Sequence, residues 1–351
     1  MLYPQENEHR RRLALDGFWN FQAWREGDDA SGWESALPEP VVLAVPASWN
    51  EQREDLFDFF GRGYYQRDFH LPEEWSERRL VLRVGAAFYK TRAWLNGCEL
   101  GCYEGGSLPS EYELGTAARF GMANRLTVEV DARLDPWGLP PAQESANAGE
   151  GRVGFINQNP PVTYDFFPYG GIHRSVWICA TAPNRIEAIA VRPELAKDHG
   201  EATVEVRTRV TEPEGVARLR AEIEGGVVDL EATGEEDWFA GRMRVERPRL
   251  WGVGRPELYE AIVRLEGADG AADTYRQSFG IREVRVDERG LILNGEPVYL
   301  TGFGKHEDSD FFGRGFNPPV AVRDFELLRW VGANSVRTGH YPYAEEFYDL
   351  A

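Results

Sequence analysis

Cysteines are few in this 351-residue sequence, and their spacing excludes two common kinds of site. Cys98, Cys102 and Cys179 are an odd number, and no two of them form a Cys-x-x-Cys pair. Neither a disulfide framework nor a paired-thiolate zinc site is therefore predicted. Reduced thiols are expected instead, which is typical of a cytoplasmic protein.

Basic side chains and long apolar runs are also scarce. Lys and Arg together number 39 against 58 Asp and Glu, so the formal net charge is -19. The average surface field repels phosphate groups and anionic lipids, which disfavours nucleic acid and membrane surfaces as partners. No apolar run approaches the roughly 20 residues that span a bilayer, and residues 1–12 lack the apolar core of a secretory signal. A soluble, cytoplasmic protein is the expectation.

The sequence is instead rich in short β-strand patterns. Residues 1–182 are assigned to a first domain, in which short runs of alternating apolar and polar residues are separated by turns, as in a jelly-roll sandwich. A hairpin is expected at Asn96-Gly97, because both residues tolerate positive φ. Residues 136–154 contain several prolines and glycines and predict a long loop, which is usually functional or mobile.

The next stretch, residues 183–286, predicts a second β-domain. Its strands, such as residues 202–207, alternate apolar and charged side chains and therefore look half exposed. About a hundred residues of this kind are the size of one immunoglobulin-like sandwich. We expect this domain to serve as a spacer.

The pattern changes at residues 287–351, where strands and helices alternate. The expected elements are a hairpin at Asn294-Gly295 leading into a strand that ends at 301–304, a helix between Asn317 and Gly332, a strand at 334–337, and a second helix from Ala344. This order is the beginning of a (β/α)8 barrel, the TIM barrel. Two such units cannot close a barrel, so we expect the chain to be the front part of a longer protein.

Two histidines follow the two predicted barrel strands. His306 lies just after the first strand and His340 in the loop after the second. Because the carboxyl ends of barrel strands form the open rim, both imidazoles could bind sugar hydroxyls there. The residues alone leave two plainer interpretations open, a solvated charged loop at residues 302–308 and a hydrogen-bonded structural histidine at His340.

Several motifs occur together in one order along the whole chain. They lie at residues 15–21, 45–50, 94–97, 103–106, 164–174, 302–308 and 334–343. Taken together, these motifs closely resemble glycoside hydrolase family 2 and, within that family, the β-glucuronidases. The resemblance implies a mainly β fold, with an N-terminal jelly-roll sugar-binding sandwich, an immunoglobulin-like β-sandwich and the first β/α units of a catalytic TIM barrel.

The resemblance also implies roles for particular residues. Asp165 would reach over the barrel mouth and accept hydrogen bonds from sugar hydroxyls, and His306 and His340 would line the same subsite. Arg337 would orient the nucleophilic carboxylate by charge-assisted hydrogen bonding. From the residues alone, Asp165 could equally form a turn and Arg337 could belong to a buried ion pair.

The implied reaction is retaining hydrolysis of a terminal β-D-glucuronide, which needs one carboxyl group as acid and base and another as nucleophile. In the family these are glutamates of later barrel strands, so no catalytic residue is expected within this chain, and the chain alone should be inactive. Neighbouring acids are expected to be solvated or capping groups instead. They are Glu307, Asp308, Asp310, Glu345 and Glu346.

Two positions bear on the choice within the family. Asp308 favours glucuronidases, because galactosidases usually carry a histidine there, whereas Gly339 stands where glucuronidases usually have serine and would loosen the loop before His340. A family 2 β-galactosidase or β-mannosidase remains an alternative. A non-catalytic carbohydrate-binding protein is an alternative of another class. No metal or organic cofactor is implied, and a homo-oligomer is expected because a partial barrel exposes an apolar edge.

Overall fold

The structure is a computed structural model that describes residues 2–138, 141, 166–268, 270 and 272–351. Most of the loop expected at 136–154 lies outside the described residues, and so does Asp165. The chain divides into two compact units. One contains residues 13–179, 304–327 and 337–351; the other contains residues 1–12, 180–303 and 328–336.

The first sandwich consists of two facing sheets. Its strands are β1 (Arg11–Ala14), β2 (Gly17–Trp24), β3 (Val41–Val45), β4 (Ala47–Ser48), β5 (Arg62–His70), β6 (Arg79–Phe88), β7 (Lys90–Leu95), β8 (Cys98–Glu104), β9 (Ser110–Glu113), β10 (Ala123–Asp131) and β11 (Gly171–Thr181). One sheet has the order β1-β11-β6-β9, with β4 also paired to β11. The other has the order β3-β2-β5-β10-β7-β8. The sequence prediction of a β-sandwich is confirmed.

Aromatic rings fill the space between these sheets. Trp19, Phe21, Trp49 and Tyr65 are all essentially inaccessible to solvent. The ring of Phe21 lies 4.8 Å from that of Tyr65 and 5.6 Å from that of Trp49, measured between centroids. Part of the high aromatic content of the sequence therefore serves a thick sheet-on-sheet core.

The hairpin predicted at Asn96-Gly97 is present between β7 and β8. Asn96 has φ 53° and Gly97 has φ 81°. Both values lie in the left-handed region that a tight two-residue hairpin turn requires. Local sequence therefore fixes this connection.

The second sandwich is built from charge-rich strands, as predicted. They are β12 (Ile186–Leu195), β13 (Glu201–Val210), β14 (Val216–Ile223), β15 (Gly226–Asp229), β16 (Glu231–Ala232), β17 (Trp238–Glu246), β18 (Tyr259–Gly267) and β19 (Ala272–Phe279). The two sheets have the orders β12-β13-β17-β16 and β15-β14-β18-β19. Along β13, alternate residues are fully buried, so one face of the strand lines the core.

A buried ion pair attaches the first residues of the chain to this second sandwich. Arg10 Nε and Nη2 donate to the two oxygens of Asp273 over 2.8 and 2.6 Å. Asp273 also accepts from the Ile186 backbone N–H at 2.9 Å, and Arg10 Nη2 donates to the Ile186 carbonyl at 2.6 Å. Because both charges are buried and multiply hydrogen-bonded, this pair holds residues 2–12 in one position.

The last segment contains the elements β20 (Val284–Asp287), β21 (Gly290–Leu293), β22 (Glu296–Pro297), β23 (Gly302–Lys305), α1 (Pro318–Trp330), β24 (Ser335–Thr338) and α2 (Glu345–Leu350). Strands β23 and β24 pair with each other. The predicted alternation of strand and helix is confirmed. None of the helices in the described ranges is long and apolar enough to cross a membrane.

One prediction in this segment is wrong in detail. The strand expected to continue from the Asn294-Gly295 hairpin to residues 301–304 stops at Pro297, and a new strand begins at Gly302. Val298 N still donates to the Leu291 carbonyl, at 2.9 Å, but Thr301 N donates to Asn334 Oδ1, at 2.7 Å. The backbone is therefore hydrogen-bonded to β21 as far as Val298 and to Asn334 from Thr301 onward.

Helix α1 begins and ends where its signals predict, and only part of its surface is buried. Asn317 Oδ1 accepts from Val320 N at 3.2 Å, and Gly332 adopts φ 79° just after the helix ends. Ala321 is buried, whereas Trp330 is 82% exposed. The end signals at Asn317 and Gly332 thus locate the helix but do not identify the side that is buried.

Two arginines of the first sandwich bind the loops after β23 and β24. Arg174, on β11, contacts Glu307 Oε2 at 3.1 Å and the Pro342 carbonyl at 2.7 Å. Arg83, on β6, lies 2.9 Å from Glu111 and 3.6 Å from Glu345. Strand β6, which lies between β11 and β9, is buried on both faces and not on alternate residues alone.

Removing the charge of Glu307 should loosen helix α2. The Glu307 carboxylate is 5% exposed and also accepts from Ala344 N at 2.8 Å, just before the helix. Glu307→Gln leaves the largely buried Arg174 guanidinium without its counter-charge, so the free energy of opening should fall by about 3 kcal/mol, the lower end of the range for a broken buried pair. Hydrogen exchange at the Ala344 amide measures this change. Glu345→Gln is the matched control, because its side chain is half exposed; an equal effect of both variants would contradict the prediction.

Candidate active site

Two loops and one aromatic side chain bring His306 and His340 together. Their ring centroids are 5.7 Å apart, with the planes inclined by 62°. Phe166, which precedes β11, lies 6.3 Å from the His306 ring and 6.5 Å from the His340 ring. His306 is half buried and His340 is exposed. Aromatic faces beside imidazole nitrogens can contact both the apolar face and the hydroxyls of a sugar.

Tyr341, next to His340 in sequence, is the hydrogen-bonding centre of the site. Its hydroxyl lies 3.3 Å from His306 Nδ1 and 3.3 Å from Asp308 Oδ1. It also accepts from the Glu307 backbone N–H at 3.1 Å. The loop after β24 is thus hydrogen-bonded to three successive residues that follow β23.

Arg314 places a buried positive charge against this cluster. The residue is 4% exposed, and its guanidinium carbon lies 3.5 Å from the centroid of the Tyr341 ring and 5.1 Å from that of Phe166. Its terminal nitrogens have no hydrogen-bond partner among the residues that the structure describes. The cation is therefore held by aromatic faces, which attract it through their ring quadrupoles.

Burial and Arg314 act in opposite directions on Asp308. Burial raises the pKa of the Asp308 carboxyl, because desolvation disfavours its charged form. The Arg314 guanidinium, together with His306 and the Tyr341 hydroxyl, opposes that rise. Asp308 is thus a partly buried carboxyl group whose counter-charge is supplied from within the site.

His173, which is buried near Arg314, is kept neutral. Desolvation, and then the neighbouring Arg314 and Arg174, lower the pKa of His173 well below its ordinary value. Its ring stacks on Phe88 at 6.5 Å between centroids. The site therefore avoids placing a third positive charge beside two arginines.

Other residues singled out in the sequence occupy different positions. Arg337 is exposed on β24, and within the described ranges it has no ion-pair partner. The Glu307 carboxylate is bound by Arg174 and by the Ala344 backbone N–H. Gly339, expected to loosen its loop, donates its N–H to the Tyr343 hydroxyl at 2.8 Å. The structure thus groups His306 and His340 and leaves Arg337 outside that cluster.

Sequence reasoning missed three residues of the site. Phe166 and Tyr341 lie inside quoted motifs, so their aromatic character next to Asp165 and His340 was an available signal. Arg314 gave none, since an arginine between two glycines reads as a solvated loop residue. In the part of the chain that is described, no group of His, Cys, Asp and Glu is arranged to hold a metal ion.

Comparison with protein families matches nearly the whole chain in three consecutive pieces. Residues 13–182 match the sugar binding domain of glycosyl hydrolases family 2, residues 184–282 match a second domain of glycosyl hydrolases family 2, and residues 284–351 match its TIM barrel domain. All three pieces occur in the order that the sequence motifs predict.

Individual relatives agree with the family match. The β-glucuronidases of Canis lupus familiaris and Paenibacillus borealis are each 36% identical over all of this chain, which covers 56% and 59% of their lengths. The Bifidobacterium dentium β-glucuronidase complexed with coumarin-3-O-glucuronide superposes with a TM-score of 0.88 at 36% identity, over 100% of this chain and 60% of that one. The Ruminococcus gnavus enzyme in complex with D-glucuronic acid gives 0.85 at 35% identity, over 100% and 59%.

The chain spans somewhat more than half the length of these relatives. Sequence, fold and the order of the three matched pieces nevertheless agree along its full extent. The prediction made from the motifs is confirmed: this chain belongs to glycosyl hydrolases family 2.

Proposed function

We propose that the complete protein containing this chain hydrolyses terminal β-D-glucuronides with retention of configuration. The observation that carries the proposal is the match of the whole chain to β-glucuronidases at 34–36% identity. Solved relatives hold a glucuronide or D-glucuronic acid, which supports the same sugar class here. Asp308, directly after Glu307 in the rim loop, supports glucuronides over galactosides.

The sugar is proposed to bind at His306 and His340. Their adjacent imidazoles, with Phe166 against both rings, offer hydrogen-bonding nitrogens beside an apolar face. Asp165 is proposed to accept hydrogen bonds from hydroxyls at the non-reducing end. Arg337 is proposed to orient the nucleophile, and its exposure at a strand end leaves it available for a carboxylate from another segment.

The two catalytic carboxylates are proposed to lie in later barrel strands of a longer protein. A retaining mechanism needs two carboxyl groups about 5 to 5.5 Å apart, on either side of the sugar. The nearby acids have other partners: Glu307 is bound by Arg174, Asp308 by Tyr341 and Glu345 by Arg83. Those contacts support structural roles for these acids.

The remaining features of the proposal concern organisation. We propose domain borders at 1–182, 183–286 and 287–351, which the family matches support. A cytoplasmic location is proposed because none of Cys98, Cys102 and Cys179, all of them described, forms a disulfide. A homo-oligomer is proposed because apolar side chains are exposed in the last segment.

A substrate panel tests the proposed reaction. The complete protein is expected to release the chromophore from an aryl β-glucuronide much faster than from the matching β-galactoside or β-mannoside, while the 351-residue chain alone releases none. The measurement is kcat/KM for each substrate. Preference for a galactoside or mannoside would overturn the choice of sugar. Inactivity on all three would favour the non-catalytic carbohydrate-binding alternative.

Removing one proposed sugar contact should slow the complete protein steeply. Asp165→Ala and His340→Ala each delete a hydrogen-bonding group that would strengthen its contact in the transition state, so kcat/KM should fall on the order of 100-fold or more. His70→Ala, at an exposed position on β5, is the matched control and should keep the full rate. Unchanged kcat/KM for either site variant would remove that residue from the proposed site.

The 351-residue chain alone is expected to self-associate. Trp330 is 82% exposed, Phe303 56% and Val331 54%. Large apolar side chains exposed in this way favour association with another copy. Light scattering coupled to size-exclusion chromatography should show species larger than the monomer, and Trp330→Lys should shift the distribution toward the monomer. A monodisperse monomer of the unchanged chain would contradict the prediction.

A further inference from the structure

The hydroxyl of Tyr341 has a complete set of partners. A phenolic hydroxyl has one proton to donate and two lone pairs to accept with. Among the described residues, three groups are within hydrogen-bond distance of this hydroxyl: the Glu307 backbone N–H at 3.1 Å, Asp308 Oδ1 at 3.3 Å and His306 Nδ1 at 3.3 Å. Each of the three must therefore use a different part of the hydroxyl.

Two of the three assignments follow from elementary chemistry. The Glu307 backbone N–H can only donate, so it occupies one lone pair of the hydroxyl. An ionised carboxylate can only accept, so Asp308 takes the hydroxyl proton. Arg314 favours that ionised form, because its buried guanidinium lies against the Tyr341 ring and attracts the Asp308 charge.

The third assignment determines the state of His306. The remaining lone pair of the hydroxyl faces Nδ1, which must carry a proton to form a hydrogen bond. The opposite tautomer would draw the hydroxyl proton to Nδ1. Asp308, whose only hydrogen-bond donor among the described residues is Tyr341, would then be left unsatisfied in a partly buried position.

We propose that Tyr341 and Asp308 position His306 by holding its neutral ring as the Nδ1–H tautomer, with the Nε2 lone pair left to accept a hydrogen bond from a substrate hydroxyl. Within the described ranges, Nε2 forms no hydrogen bond with the protein. The role toward a sugar rests on the proposed function; the tautomer itself does not. Tyr341 and Asp308 act through His306 and are positioning residues.

The tautomer can be measured without any substrate. The chain contains six histidines, so ring-¹⁵N-labelled histidine gives a small set of signals in magic-angle-spinning NMR, and a difference spectrum with His306→Asn assigns the one of interest. The method does not depend on particle size, so it tolerates self-association. The unchanged chain at neutral pH should show His306 with a protonated Nδ1 and an unprotonated Nε2.

Two variants change the tautomer for different reasons. Tyr341→Phe removes the hydroxyl, and Asp308→Ala leaves the ring in place but frees the hydroxyl proton to turn toward Nδ1. Both should shift the ratio of Nδ1–H to Nε2–H at His306 on the order of tenfold, as expected for one net hydrogen bond. Tyr299→Phe, whose ring is 84% exposed, is the matched control and should leave the ratio unchanged. The signals of buried His173 report that each variant has folded.

The outcomes separate this inference from the proposed function. A predominantly Nε2–H ring at His306 in the unchanged chain, or a ratio unaffected in both folded variants, would overturn the inference whatever the protein hydrolyses. In the complete protein, Tyr341→Phe should lower kcat/KM for the glucuronide while the control retains it. If the tautomer is as expected but no β-glycoside is hydrolysed, the inference about His306 stands and the proposed function fails.

Discussion

The position of the candidate site depends on one buried ion pair, between Arg174 of the first sandwich and Glu307 of the loop after β23. Glu307 lies in a bend just after β23, so holding its carboxylate against Arg174 also holds the backbone that carries its two neighbours. Those neighbours are His306 and Asp308, which meet Tyr341 there. One triplet thus combines an anchor with two site residues, and the anchor also accepts the Ala344 N–H before α2.

Around Glu307, a charged group that lacks a partner costs free energy because little water reaches it. The arrangement of charged side chains there is therefore restricted. The low dielectric that penalises an unpaired group also strengthens each hydrogen bond that is made. Asp308 is compensated by Arg314, Arg314 lies on aromatic faces, and His173 avoids the positive form altogether. A site built in this way has few alternative arrangements of comparable energy, which suits a pocket that must hold two imidazoles in a fixed relation.

Local patterns in the sequence were sufficient for the elements and for part of the site. The Asn96-Gly97 turn and the two ends of α1 were predictable because the responsible groups lie within a few residues of one another. The pairing of His306 with His340 followed from the topology of parallel strands. The burial of Arg83 and the partial burial of Arg174 were not predictable, because alternation with apolar residues indicates solvent exposure, whereas Glu345 and Glu307, which they contact, lie more than a hundred positions away. Arg314 belongs to no alternating or helical pattern in the sequence, so its burial was not predictable either.

The ion pair between Arg10 and Asp273 joins the first residues of the chain to the second sandwich. That sandwich is therefore not formed by one continuous stretch of the sequence. The N-terminal residues pack against the second sandwich, where the Asn7 and Gln5 side chains also donate to backbone carbonyls of β19. A fragment cut at residues 183 and 286 would therefore be an incomplete module, with the Asp273 carboxylate stripped of its cation. Recombination between family members at those cut points would have to exchange the leading dozen residues together with the middle domain.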